Sequence, residues 1–128
     1  MEKKKILVVD DEPDFLEMMR VRLEAGGYEV ITANNGKEAL FKIAEDKPRA
    51  VLLDILMPEM DGLKVLRCIR KKDKKLPVFI ITAFNNEERF RLANRFDASG
   101  FIVKNSDLKE EINNISSLLN LADQYKAK

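Results

Sequence analysis

Short apolar runs alternate with amphipathic stretches from one end of the chain to the other. Residues 6–9, 29–33, 51–53, 78–82 and 101–103 are brief and rich in Val, Ile, Leu and Phe, and they predict five strands. The third lies inside Ala50-Val51-Leu52-Leu53-Asp54-Ile55-Leu56-Met57-Pro58, an apolar run that carries one carboxylate and stops at a proline. Without polar alternation, such a run predicts a strand covered on both faces, as in parallel sheets. The intervening segments have helical spacing instead. In 13–25, Phe15, Leu16, Met19 and Leu23 recur on one face, and Gly26-Gly27 supplies a stop. Residues 37–46 set Leu40, Ile43 and Ala44 on one face, and Asp61-Gly62 opens a third helix with Leu63, Leu66 and Ile69, closed by the charge run 71–75. Residues 86–96 offer only a thin stripe of Phe90, Ala93 and Phe96 among three arginines, and 107–125 turns Leu108, Ile112, Ile115, Leu119 and Ala122 inward.

Five strand-helix units in strict alternation imply a parallel sheet with right-handed crossovers and helices on both faces. Five strands suit the doubly wound order 2-1-3-4-5, which sets strand 3 between strands 1 and 4. Reactive groups in such sheets collect at the carboxyl ends of the strands, which is where Asp54 falls.

Composition narrows the chemistry. With 128 residues, 45% hydrophobic, the chain is sized for one compact domain spanning 1–128. The balance of 23 basic against 22 acidic residues gives +1, so no overall field argues for nucleic acid or a membrane surface. Cys68 is the single cysteine, which excludes an internal disulfide and a cysteine-cluster metal site. The first apolar run is four residues long before Asp10 interrupts it, far too short for a signal sequence or a membrane span, so the expected location is cytoplasmic. There is no histidine, which removes His-based acid/base chemistry and His metal ligation, and any phosphohistidine donor must be another molecule.

In the order 2-1-3-4-5, the strand ends carry Asp10-Asp11, Asp54, Thr82 and Lys104 side by side. Taken singly, these could be turn formers, a strand residue and a solvated lysine. Their joint placement at one rim favours a site. Carboxylates 4 Å apart repel by about 4 kcal/mol per pair at an effective dielectric near 20, so a cation belongs among them. Hard oxygen ligands with no His or Cys select Mg2+, or Mn2+ as the alternative. Lys104 offers a point charge and Thr82 a hydroxyl to phosphate oxygens, and Asp54 is the candidate nucleophile for in-line phosphoryl transfer.

The segments Ile6-Leu7-Val8-Val9-Asp10-Asp11-Glu12, Leu53-Asp54-Ile55-Leu56-Met57-Pro58-Glu59-Met60-Asp61-Gly62, Ile81-Thr82-Ala83 and Val103-Lys104 resemble the receiver domain of two-component response regulators, over essentially the whole chain. The resemblance implies an α/β, doubly wound (βα)5 flavodoxin-like sandwich. It also implies that Asp54 accepts phosphate from a sensor histidine kinase or histidine phosphotransfer protein. Asp11, Asp54 and the Leu56 carbonyl would bind Mg2+ with Asp10 assisting, Thr82 would rotate toward the phosphate, and Lys104 would pair with it. Phe101 stands where the family has an aromatic residue whose position reports the state, although a plain core role is equally in keeping with its type. The family uses the face of helix 4, strand 5 and helix 5 for effectors or homodimers. Direct nucleic-acid and membrane contacts are not expected.

Two departures carry expectations. The family usually has proline after the strand 5 lysine, whereas Asn105 stands here, so a trans Lys104-Asn105 bond is expected. The residues two beyond the acceptor and two beyond the threonine are Leu56 and Phe84, which cannot orient water, so slow self-dephosphorylation is expected. Among competing classes, an aspartyl-phosphate phosphatase would want a second Asp where Leu56 stands. A dinucleotide site would want a glycine-rich turn where Asp11-Glu12-Pro13-Asp14 stands. A scaffold that is never phosphorylated would not need the full acidic set. The expected activity is therefore limited to the protein's own phosphorylation and dephosphorylation, without turnover of a separate substrate.

Overall fold

The computed structural model describes residues 3–55, 61–82, 87–103 and Ser117. Strands β1 (Lys5–Val9), β2 (Glu29–Ala33), β3 (Ala50–Asp54), β4 (Val78–Thr82) and β5 (Gly100–Val103) alternate with helices α1 (Pro13–Ala25), α2 (Gly36–Asp46), α3 (Gly62–Lys72) and α4 (Glu87–Arg95). All neighbouring strands pair in parallel, in the order β2-β1-β3-β4-β5. The topology is therefore the one expected from the sequence pattern. The helix expected over 107–125 lies outside the described residues, apart from Ser117, which is helical.

Strand periodicity divides the core between the two sheet faces. Ile6, Val8, Ala50, Leu52, Phe79 and Ile81 turn toward α1, where Leu16, Met19 and Leu23 cover them. Leu7, Val9, Val51, Leu53, Val78 and Ile80 face the other way, toward Ala39 of α2, the apolar side of α3, and Ala93 of α4. All five residues of β3 are buried, as a strand sandwiched between helical layers must be. Burying a side chain such as Leu52 stabilises the fold by roughly 1.5–3 kcal/mol.

The helix boundaries have local causes. Pro13 opens α1 at the position where a missing N–H costs nothing, and Gly27 leaves it with φ 96°. Asn35 caps α2, its side-chain oxygen accepting the Glu38 N–H at 2.8 Å, so the helix starts at Gly36, one residue before the expected 37. The expected α2 face is partly corrected: Leu40 and Ile43 pack against the core, but Ala44 is exposed and Ala39 is buried in its place. Asp61 caps α3 by accepting the Leu63 N–H at 2.9 Å. Lys71 and Lys72 still belong to α3, which ends at Asp73, whose carboxylate accepts the N–H groups of Lys75 and Leu76.

One side chain joins the segments after α3 and α4. The Arg70 guanidinium donates to the carbonyl oxygens of Leu76 at 2.7 Å, Asp97 at 2.9 Å and Asp73 at 3.1 Å. Desolvation pushes the Arg70 pKa below its ordinary value, while Asp73 and Asp97 pull the other way. Ser99 completes the corner: its hydroxyl accepts the Val78 N–H at 3.0 Å, and its own N–H donates to the Val78 carbonyl at 2.7 Å. Arg67 of α3 stacks over the Phe96 ring, 5.1 Å from its centroid. No described helix is long and apolar enough to cross a membrane.

Candidate phosphoacceptor site

The rim at the carboxyl ends of β1 and β3 is acidic and partly buried. Val9 of β1 is the register partner of Leu53 of β3, so the residues that follow, Asp10 and Asp54, stand at adjacent positions across the two strands. Asp10 is fully buried and Asp54 is 4% exposed, and they are the buried acidic residues among those described. Such burial is unusual for carboxylates and requires partners. Asp10 accepts the Glu12 N–H at 2.9 Å, a local turn that carries the chain into α1, and its own N–H donates to the Ala33 carbonyl of β2.

Carboxylate oxygens of Asp10, Asp11 and Glu12 all lie within 4.8 Å of one another. Asp54 is not a member of that three-residue cluster. Glu12 is not among the ligands expected from the sequence, although three acids in succession before Pro13 are a visible signal. Repulsion within such a group is relieved by a divalent cation, and an all-oxygen donor set fits Mg2+ or Mn2+ and not a soft metal.

A tight contact fixes the end of β3. Gly62, the first residue of α3, donates its N–H to the Ile55 carbonyl at 3.2 Å. A Cβ added at Gly62 would lie 2.5 Å from the Ile55 Cα and closer still to the Asp54 carbonyl oxygen. The helix start is thus seated directly on the backbone that carries Asp54, an approach only glycine permits.

On the far side of β3, Asp54 is the register partner of Ile81, so Thr82 ends β4 one step further out. Thr82 in turn pairs with Val103 of β5. Leu56, Phe84, Lys104 and Asn105 lie outside the described residues, and with them the expected carbonyl ligand, the expected phosphate-pairing lysine and the expected trans bond. Phe101 on β5 is 38% exposed, which overturns the plain core reading of that residue.

A doubly wound parallel sheet whose strand ends hold two buried aspartates and a carboxylate cluster defines a flavodoxin-like α/β domain with an acidic rim. The model of the response regulator receiver domain matches residues 6–116, and the chain belongs to that family. The family's role is that of a phosphoacceptor switch in two-component signalling. The chain is 38% identical over 101 residues to the alkaline phosphatase synthesis transcriptional regulatory protein PhoP of Bacillus subtilis, covering 79% of this chain and 42% of PhoP. It is 38% identical over 123 residues to the probable transcriptional regulator ycf27 of Pyropia yezoensis, covering 96% of this chain and 50% of that protein. It therefore spans about half or less of the length of these relatives. Among solved structures, the response regulator TrrA of Thermotoga maritima in complex with Mg2+-BeF is 39% identical, with a TM-score of 0.81 over 90% of this chain and 98% of that one. A CheY-like receiver domain of Methanospirillum hungatei reaches a TM-score of 0.90 at 27% identity, covering 97% and 99% of the two chains.

Proposed function

We propose that Asp54 is the phosphoacceptor of this receiver domain, and that the donor is a phosphohistidine on a separate sensor histidine kinase or histidine phosphotransfer protein. One observation carries the reading: Asp54 closes the fully buried strand β3 at the position adjacent to the buried Asp10. A carboxylate oxygen of Asp54 attacks phosphorus in line. The P–N bond of the donor breaks, its electron pair stays on the imidazole nitrogen, and a mixed carboxylic-phosphoric anhydride forms on Asp54. Asp10 and Asp11, with Asp54 and the Leu56 carbonyl, would hold Mg2+, which when bound neutralises the phosphoryl oxygens during transfer; Mn2+ meets the same donor preference. Support for that metal comes from the oxygen-only cluster at Asp10 and Asp11 and from the Mg2+-BeF complex of TrrA. In this reading the Thr82 hydroxyl and the Lys104 ammonium receive the remaining phosphoryl oxygens.

The protein catalyses only its own phosphorylation and dephosphorylation. With Leu56 and Phe84 unable to orient water, the phosphoryl group is long-lived and is removed chiefly by a partner or by back-transfer. The change of state is a population shift that presents the face of α4, β5 and the segment after it to an effector or a second copy, in the cytoplasm and without direct nucleic-acid contact.

Incubation with Mg2+ and acetyl phosphate, followed by mass measurement of the intact protein, tests the assignment. The expected result is a gain of one phosphoryl group that is absent from Asp54→Asn. A gain that survives Asp54→Asn, or no gain in the unaltered protein, refutes it.

A further inference from the structure

The amino ends of the same strands border a cleft of opposite charge. Its volume is about 720 Å3, and five basic residues line it: Lys3, Lys4, Lys5, Lys47 and Arg49. Glu29 and Asp46 are the acidic residues of the same lining, so basic residues outnumber acidic ones five to two. In a chain whose net charge is only +1, this concentration of cations is local.

The cleft's frame is fixed by backbone hydrogen bonds. The Glu29 N–H donates to the Lys4 carbonyl at 2.9 Å, and the Arg49 N–H donates to the Lys5 carbonyl at 2.8 Å. The first residues of β1 are thereby held between the start of β2 and the segment entering β3. The end of α2 forms another wall. Lys5 Nζ donates to the Asp46 carbonyl at 3.3 Å, and Lys47 leaves the helix with φ 49°. No basic residue lies in the last turn of α2, and the Lys5 ammonium meets the negative end of that helix instead.

We propose that this cleft binds a small oligophosphate, a ligand with two or more linked phosphates, either free or as part of a nucleotide. The cavity is within the size range of small-molecule sites and far larger than a single phosphate needs. Its cations come from two separate segments, the start of β1 and the α2–β3 connection, so phosphates several ångströms apart are each met by an ammonium or guanidinium. A nucleic-acid polymer would call for a strongly basic domain, and the net charge here is only +1. Five residues of β1 at about 3.3 Å each separate this site from Asp10, roughly 16 Å along the strand. The two ends of one strand therefore handle anions by different means: covalently at the acidic rim and by ion pairing at the basic one.

The experiment is a calorimetric titration of the full chain with inorganic tripolyphosphate in EDTA, so that no divalent ion bridges the ligand to the acidic rim. Expected are saturable one-to-one binding, movement of the Lys5, Glu29 and Arg49 amide signals, and affinity that falls as salt rises. Lys5→Gln combined with Arg49→Gln should weaken binding about tenfold or more, the scale of losing charge-assisted hydrogen bonds, while Asp54→Asn leaves it unchanged. Because Lys5 also serves the end of α2, Lys3→Gln with Lys47→Gln provides a second weakened variant, and the thermal melts of both are compared with the parent. Adenosine triphosphate run in parallel distinguishes the sources: tighter binding than tripolyphosphate assigns a nucleotide, equal binding a free oligophosphate. Absence of saturation, affinity indifferent to both pairs of substitutions, signals that move only at Asp10–Glu12, or preference for an acidic peptide over tripolyphosphate would each overturn the proposal.

Discussion

Replacing Gly62 with alanine separates two opposing effects of a single methyl group. In an unstrained position, Gly→Ala stabilises a protein by about 0.4–1 kcal/mol, chiefly by restricting the unfolded chain. At Gly62 the new Cβ would stand 2.5 Å from the Ile55 Cα, against backbone that cannot rotate away. Overpacking in a tight interior costs about 1–3 kcal/mol, and a backbone wall belongs at the upper end of that range. The net expectation for Gly62→Ala is a loss of about 2 kcal/mol. At roughly 2.1 cal/mol/K of unfolding entropy per residue, 128 residues give about 0.27 kcal/mol/K, so Tm should fall by about 7 °C. Calorimetry measures this directly. The same strain falls on the Asp54 carbonyl, so the rate at which the variant gains a phosphoryl group from acetyl phosphate should fall as well. A Tm equal to or above that of the parent would refute the reasoning, since it would mean that α3 can lift from the rim without cost.

Three further outcomes follow from the packing. Arg70→Met keeps the aliphatic stem but leaves the carbonyls of Leu76, Asp97 and Asp73 without their donor, and should cost about 2 kcal/mol in urea unfolding; Arg70→Lys should recover only part of it. Asn35→Ala removes the acceptor of the Glu38 N–H and should cost about 1 kcal/mol, with amide exchange accelerating in the first turn of α2. The hydrogen bond and charge of Arg20 hold the Glu17 carboxyl below its ordinary pKa. A depressed folded-state pKa contributes stability that is present above the unfolded value and lost as pH falls through the folded one. Glu17→Gln should therefore lower Tm slightly at neutral pH and leave it unchanged at the acid limit, flattening the acid side of a Tm-against-pH curve, and the shift should be small because the pair is exposed.

What the linear pattern revealed and what it hid have physical reasons. The apolar run through Ala50–Asp54 was legible because a strand with helices on both faces admits no polar alternation, and all five residues are indeed buried. Pro13 and Gly26-Gly27 marked the limits of α1 because their backbone preferences act within one or two residues. The choice between Ala39 and Ala44 was not legible. Both alanines lie close to the apolar stripe, and only the seating of α2 on the sheet decides which is covered. Glu12 reads as an ordinary helix-start acid until Asp10 folds back on its N–H and draws the three carboxylates together. Gly62 and Arg70 were hidden for a different reason: their partners are determined by the fold, up to 27 residues away in the case of Arg70 and Asp97, and no spacing rule encodes that meeting.

The Arg70 corner bears on how the α4 region can rearrange. Its guanidinium bolts the turn at Asp97, just past the end of α4, to the loop at Leu76, just before β4, and Ser99 rivets the same corner to Val78. A lever so fastened has its fulcrum at the carboxyl end of α4. Any swing that leaves the corner intact is smallest there and grows toward the opposite end of the helix, the one nearer Thr82 in the chain.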